Sequence, residues 1–71
     1  MPNEHGQITE DDFRAPSGQF RLMMEDMQDG EVKIIADYHI LCIAQETTRT
    51  LRETASENEI FTLWDDQGKE I

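Results

Sequence analysis

The chain has 71 residues and a formal charge of −10, with sixteen Asp and Glu residues against six Lys and Arg residues. A chain of this length forms one small domain with a modest core. The acidic excess creates a negative potential that disfavours direct contact with nucleic acid or with an anionic membrane. Partners with basic surfaces are the class that this charge favours.

Compartment signals are consistent with a cytoplasmic protein. No stretch approaches the roughly 18 consecutive apolar residues of a membrane span. The N-terminus lacks the basic region and the apolar stretch of a secretory signal. Cys42 is the only cysteine, so the chain forms no intramolecular disulfide, which fits a reducing compartment. We therefore expect a cytoplasmic protein whose core holds the fold without a covalent staple.

Residues 1–18 contain four carboxylates and few large apolar side chains, and they close on Ala15-Pro16-Ser17-Gly18. This composition predicts a flexible acidic N-terminal arm ahead of a single domain at residues 19–71. In the alternative, the arm folds back onto the domain through Ile8 and Phe13.

Two alternating runs, residues 20–25 and 32–38, predict a β-hairpin. A three-residue loop, Gln28-Asp29-Gly30, closes it, with Gly30 in the left-handed conformation of a bulged turn. On one face this loop pairs Phe20 with Tyr38, Leu22 with Ala36 and Met24 with Ile34. On the other face it pairs Arg21 with Asp37, Met23 with Ile35 and Glu25 with Lys33. Two opposite-charge pairs in one register support that register over its neighbours.

The stretch from about residue 38 to residue 55 predicts a helix with Asp37 as its N-cap. Five residues of this stretch fall on one stripe at helical spacing, namely Ile40, Ala44, Thr47, Leu51 and Ala55, joined by Ile43. The start of the helix stays open, because residues 39–45 could also extend the preceding strand.

Residues 59–64 alternate again, and Asp66-Gln67-Gly68 repeats the acidic, polar and Gly turn. The same three-residue logic sets Leu63 opposite Ile71 and Asp65 opposite Lys69. The predicted fold is therefore α+β, a small antiparallel sheet (ββαββ) with one helix packed on one face. Seven residues are expected to face the helix: Phe20, Leu22, Met24, Ile34, Tyr38, Phe61 and Leu63. Four apolar residues are left on the other face: Met23, Ile35, Ile60 and Trp64.

The sequence contains no catalytic constellation, so we expect no enzyme activity. A nucleophile needs an oriented base, and the only histidines are His5 and His39. His39, Cys42 and Glu46 share one helical strip that could hold a metal, but three ligands on one helix enclose a metal poorly. Cys42 in an apolar run is better explained as a small buried packing residue. No calcium-loop or phosphate-loop spacing occurs, and we predict neither a metal nor a cofactor.

Two surface features of the predicted fold indicate binding of a partner. Six carboxylates lie at the predicted hairpin tips: Glu25, Asp26, Asp29, Glu31, Asp65 and Asp66. An apolar patch on the uncovered sheet face includes Met23, Ile35 and Trp64, and such residues are enriched in interfaces. We expect these residues to contact a protein partner with a basic surface.

In size and charge the chain resembles small acidic inhibitors, many of them carried by phages, that imitate the phosphate array of DNA. The likeness lies in composition and in no motif. It implies a DNA mimic that occupies a nucleic-acid-binding surface, with binding that weakens as salt rises. The alternative is a structural or regulatory homodimeric subunit that pairs through its sheet face. In a third interpretation the charge only keeps a small protein in solution.

Overall fold

The computed structural model describes residues 10–71 and forms an α+β fold. A short 3₁₀ turn, Glu10–Phe13, precedes three strands and one helix: β1 (Phe20–Asp26), β2 (Glu31–Tyr38), α1 (Leu41–Thr54) and β3 (Glu59–Trp64). The sheet order is β2-β1-β3, and β1 is antiparallel to both neighbours. The helix connects the two outer strands across one face of the sheet, as α+β layering requires.

The first hairpin follows the predicted register in one half only. The pairs Phe20–Tyr38, Arg21–Asp37 and Leu22–Ala36 are confirmed, but Met23 pairs with Ile34, Met24 with Lys33 and Glu25 with Val32. The predicted pairs of Met23, Met24 and Glu25 are therefore wrong by one residue. The reason is the loop, which spans residues 27–30 and is closed by a 2.8 Å bond from the Gly30 amide to the Asp26 carbonyl.

A β-bulge at Ile35 restores the predicted register from Leu22 back to Phe20. The extra loop residue shifts the pairing by one position, and the extra residue in β2 shifts it back. Gly30 has the predicted left-handed conformation, with φ at +74°. Because Ile34 now pairs with Met23, it lies on the sheet face away from the helix, and its predicted position in the core is wrong.

Helix α1 begins later than the sequence pattern predicts. Strand β2 runs on to Tyr38, so Asp37 belongs to the sheet and the helix is capped by Ile40 without a side-chain bond. The buried helical face consists of Ala44 and Thr48, with Leu51 and Ala55 packed beside them. Ile40 and Ile43, predicted to lie on the buried stripe, are exposed. The helix ends at Thr54, within a residue of the prediction.

The C-terminal turn forms as predicted, although the fourth strand is reduced to a single bridge between Trp64 and Glu70. The Ile71 amide donates to the Leu63 carbonyl at 2.8 Å, and the Asp65 amide donates to the Lys69 carbonyl at 2.9 Å. These bonds are the predicted register.

The core lies between the helix and the sheet. Its buried members are Leu22, Met24, Ala44, Phe61 and Leu63, packed against Phe20, Tyr38, Leu51 and Ala55. Alternate residues of β1 and β3 supply one face of this cluster, as strand periodicity dictates. Central strand β1 therefore has its core-facing side chains covered by the helix.

Candidate protein-binding surface

Three carboxylates stand side by side across one end of the sheet. Asp26 pairs with Glu31 on one side and with Glu59 on the other. Paired residues project to the same sheet face, and neighbouring strands lie about 4.8 Å apart. The row Glu31–Asp26–Glu59 therefore places three like charges within about 10 Å. We call this end of the sheet, with the adjacent Glu25 and Asp29, the tip end.

Local hydrogen bonds hold the tip-end carboxylates in place. Asp26 Oδ1 accepts from the Gln28 amide at 2.9 Å, and Asp29 Oδ1 accepts from the Glu31 amide at 2.9 Å. Glu59 Oε1 accepts from the Ser56 amide at 3.1 Å. Each bond uses one oxygen and spans only two or three residues. The carboxylates are thus oriented without being removed from the surface.

Positive charge near the tip end is sparse. Within residues 25–33 and 57–59, Lys33 is the only basic residue. Its Nζ lies 3.6 Å from Glu31 Oε1, and both side chains are more than half exposed, so this pair contributes little. Helix α1 also ends near this edge, and its C-terminus adds partial negative charge. Arg52, in the last helical turn, donates its Nε to the Phe61 carbonyl at 2.9 Å.

The opposite end of the sheet has one carboxylate with local bonds and one that binds a distant segment. Asp65 Oδ1 accepts from the Gln67 and Lys69 amides, each at 2.9 Å. Asp66 Oδ2 accepts from the Gly18 amide at 2.8 Å across 48 positions of sequence. The Gly18 amide, followed by the Gln67 side chain, lowers the pKa of the Asp66 carboxyl. We call this the arm end, because residues 12–18 pack there.

The arm contacts are numerous. The Phe13 and Trp64 rings meet edge to face with centroids 4.8 Å apart. Arg21 donates Nη1 to the Asp12 carbonyl at 3.0 Å, while its Nε and Nη2 bind the Asp37 carboxylate at 2.8 and 3.1 Å. Ala15 is buried, and its amide donates to the Asp65 carbonyl at 3.0 Å. Residues 12–18 therefore cover the Trp64 end of the sheet face that the helix leaves open.

The predicted apolar patch is divided by this packing. Met23 is only 1 % exposed, so its predicted place on an exposed apolar patch is wrong. Trp64 is half-buried against Phe13, and its Nε1 donates to Thr62 Oγ1 at 2.8 Å. Ile35 is exposed at the bulge. The part of the fold-back alternative that concerns Phe13 matches the structure, whereas Ile8 lies outside the described residues.

Cys42 and Glu46 are exposed on helix α1, but His39 precedes the helix, so the predicted strip of these three residues on one helix is wrong. Cys42 was expected to be a buried packing residue; instead it is exposed, because the helix rotates Ala44 and Thr48 toward the sheet. Cys42 lines an open groove of about 330 Å³ with Gln45, Glu46 and Arg49. Within residues that the structure describes, no group of three or more His, Cys, Asp or Glu side chains is placed to hold a metal ion.

The structure brings together some predicted site residues and separates others. Glu25, Asp26, Asp29 and Glu31 share the tip end, whereas Asp65 and Asp66 lie at the far end of β3. Six residue steps separate Glu59 from Asp65, about 20 Å along a strand. Sequence reasoning missed Glu59, which completes the row. The pairing of β1 with β3 reveals it, and no turn in the sequence sets that pairing.

The chain matches no protein-family model, and comparison with curated proteins and with solved structures gives no significant match. Across the part of the chain that the structure covers, no helix has the length and apolar character needed to cross a bilayer. The geometry of the surface therefore carries the functional argument.

Proposed function

We propose that this protein is a non-enzymatic, cytoplasmic binding module that occupies a basic, nucleic-acid-binding surface of a protein partner. The row Glu31–Asp26–Glu59 carries the proposal. It sets three carboxylates at regular spacing on a sheet end with little positive charge, in a chain of net charge −10. The tip-end carboxylates would stand where DNA phosphates stand, and the module would act as an inhibitor and DNA mimic of the kind that phages carry.

The three carboxylates of this row repel one another. Like charges directly opposite each other destabilise an antiparallel pair. Asp26 has such a neighbour on both sides. A basic partner surface relieves this repulsion and gains from long-range attraction before contact. The row therefore supports binding of a cationic protein surface.

The test is affinity capture with the intact chain from lysate of its native host, at low and at high salt. The expected partner is a basic, nucleic-acid-handling protein that is lost at high salt. The captured protein, once purified, should also be displaced by duplex DNA. A partner that withstands high salt and ignores DNA would overturn the proposal.

A matched pair of variants locates the contact. The change Asp26→Asn with Glu59→Gln removes two charges from the row and keeps every acceptor oxygen that now receives a backbone amide. The change Glu46→Gln with Glu70→Gln removes two exposed charges elsewhere. The first variant should weaken binding of the captured partner by about tenfold, which corresponds to about 1.4 kcal/mol of binding free energy. The second variant should have little effect on binding. Equal weakening by both would show that only the total charge matters.

A homodimeric subunit is the second candidate, and one observation favours it. Strand β2 is an edge strand of the sheet, with Ile34 and Ile35 exposed on it. An edge with exposed apolar residues is a template for pairing with another chain. Native mass spectrometry over a range of protein concentrations separates this candidate from a monomeric binding module.

A further inference from the structure

The sheet face opposite the helix holds an apolar patch with one carboxylate at its centre. In the register, Glu25 lies between Val32 and Ile60, and the next row holds Met23 between Ile34 and Thr62. Ile34 is 41 % exposed, Ile60 is 43 % exposed, and Glu25 is exposed as well. We call these four residues, Glu25, Val32, Ile34 and Ile60, the Glu25 patch. Met23, in the next row, is buried.

Among residues 10–71, no basic side chain pairs with the Glu25 carboxylate. Lys33 pairs with Met24 and so projects to the helix-covered face. Arg21, two rows away, binds Asp37 and the Asp12 carbonyl. Within the described part of the chain, no residue donates a hydrogen bond or an ion pair to Glu25. The charge is available to a group from outside.

Charge decides which occupant fits. A second copy of the chain, docked face to face, would bring two Glu25 carboxylates together among isoleucines and would join two chains of charge −10. Burying like charges without partners is strongly unfavourable. A segment with a Lys or Arg between two apolar side chains would instead pair the carboxylate and cover the isoleucines. Its charge also suits the negative field of the whole molecule.

We propose that the Glu25 patch binds a basic amphipathic segment of a partner protein. One Lys or Arg binds Glu25, and the flanking apolar side chains pack on Ile34 and Ile60. The inference rests on the proposed function for the basic character of the partner. It adds that the partner is recognised by an apolar contact around one ion pair as well as by charge in general.

The experiment uses two synthetic peptides of equal charge, one alternating lysine with leucine and the other alternating lysine with serine. Each is titrated into the ¹⁵N-labelled full chain at low and at high salt. The lysine–leucine peptide should bind more tightly, persist at high salt, and shift the amide signals of residues 25, 32, 34 and 60. The lysine–serine peptide should bind weakly and be lost at high salt.

Variants then test the central carboxylate. Glu25→Gln should weaken binding of the lysine–leucine peptide by roughly three- to tenfold. Glu46→Gln, which removes an exposed carboxylate on the helix, should leave that affinity unchanged. Ile60→Thr should weaken binding of the lysine–leucine peptide and leave binding of the lysine–serine peptide unaffected. Amide signals of the core residues report whether each variant remains folded.

The outcomes separate this inference from the proposed function. If both peptides bind equally and are equally salt-sensitive, with shifts at residues 26, 31 and 59, the inference fails and the proposed function stands. If neither binds, both fail. Shifts at the exposed helix start, residues 40–43, or no effect of Glu25→Gln, would overturn the inference. So would a dimer in native mass spectrometry that protects the patch.

Discussion

The tip end and the arm end of the sheet both carry carboxylates, but they use them for different purposes. At the arm end, the bond from the Gly18 amide to Asp66 joins segments 48 residues apart, and Arg21 binds both Asp37 and the Asp12 carbonyl. At the tip end, the bonds to Asp26, Asp29 and Glu59 reach only two or three residues along the chain. Arm-end charge contributes to folding, whereas tip-end charge remains available for a partner.

An acidic composition therefore says little about which carboxylates are free to bind a partner. A carboxylate that accepts backbone amides from a distant segment stabilises that segment and is already satisfied. A carboxylate beside two others on adjacent strands raises the energy of the fold until something positive binds. Neutralising a carboxylate of the first class should lower the free energy of unfolding, and neutralising one of the second class should raise it.

The largest expected effect is at the arm end. Trp64→Ala removes the ring contact with Phe13 and part of the cover over the open sheet face, and it should lower the free energy of unfolding by about 2–3 kcal/mol. Urea unfolding measures the loss. Trp64→Phe, which keeps an aromatic ring, should lose less. A loss for Trp64→Ala below about 0.5 kcal/mol, the range of ordinary surface substitutions, would mean that arm packing does not stabilise the domain.

A smaller effect should appear as acid-dependent stability at Asp66. The pKa of its carboxyl is lowered by the Gly18 amide, so its contribution is fully present above the unfolded pKa, near 4. That contribution is lost as pH falls through the folded pKa. Asp66→Asn keeps an acceptor oxygen but cannot titrate. The stability difference between wild type and this variant should therefore shrink below about pH 4. Parallel curves of unfolding free energy against pH would contradict this assignment.

The two turns show how much of the fold the sequence determines. Residues 66–68 form the predicted three-residue turn, and the pairs beyond it follow residue by residue. The first turn contains the same Asp and Gly residues, yet it spans four residues, and Asp26 pairs with Glu31 across it. Nothing in the alternation shows whether Met27 belongs to the strand or to the loop. The bulge at Ile35 then restores the predicted pairing for Leu22, Arg21 and Phe20.

The candidate site was less predictable than the fold, for a physical reason. Four tip carboxylates are local to one hairpin, so their clustering could be read from the sequence. Glu59 joins them only through the pairing of β1 with β3, which a helix separates in the chain and no turn specifies. The packing of Phe13 on Trp64 is likewise a long-range contact. Periodicity assigns residues to a face, but it does not say what covers that face.

The smallest expected effect has the opposite sign and tests the tip end directly. Asp26→Asn with Glu59→Gln removes two of three adjacent like charges while keeping both acceptor oxygens, so it should raise the free energy of unfolding by about 0.2–1 kcal/mol at low salt. The gain should fade at high salt, because screening already weakens the repulsion in the wild type. Thermal and urea unfolding at two salt concentrations measure this gain.

A variant that is more stable yet binds its partner less tightly would show that the wild-type row lowers stability while strengthening binding. A variant that loses stability would place the tip-end carboxylates in the same structural class as Asp66, and the distinction between the two ends would not hold.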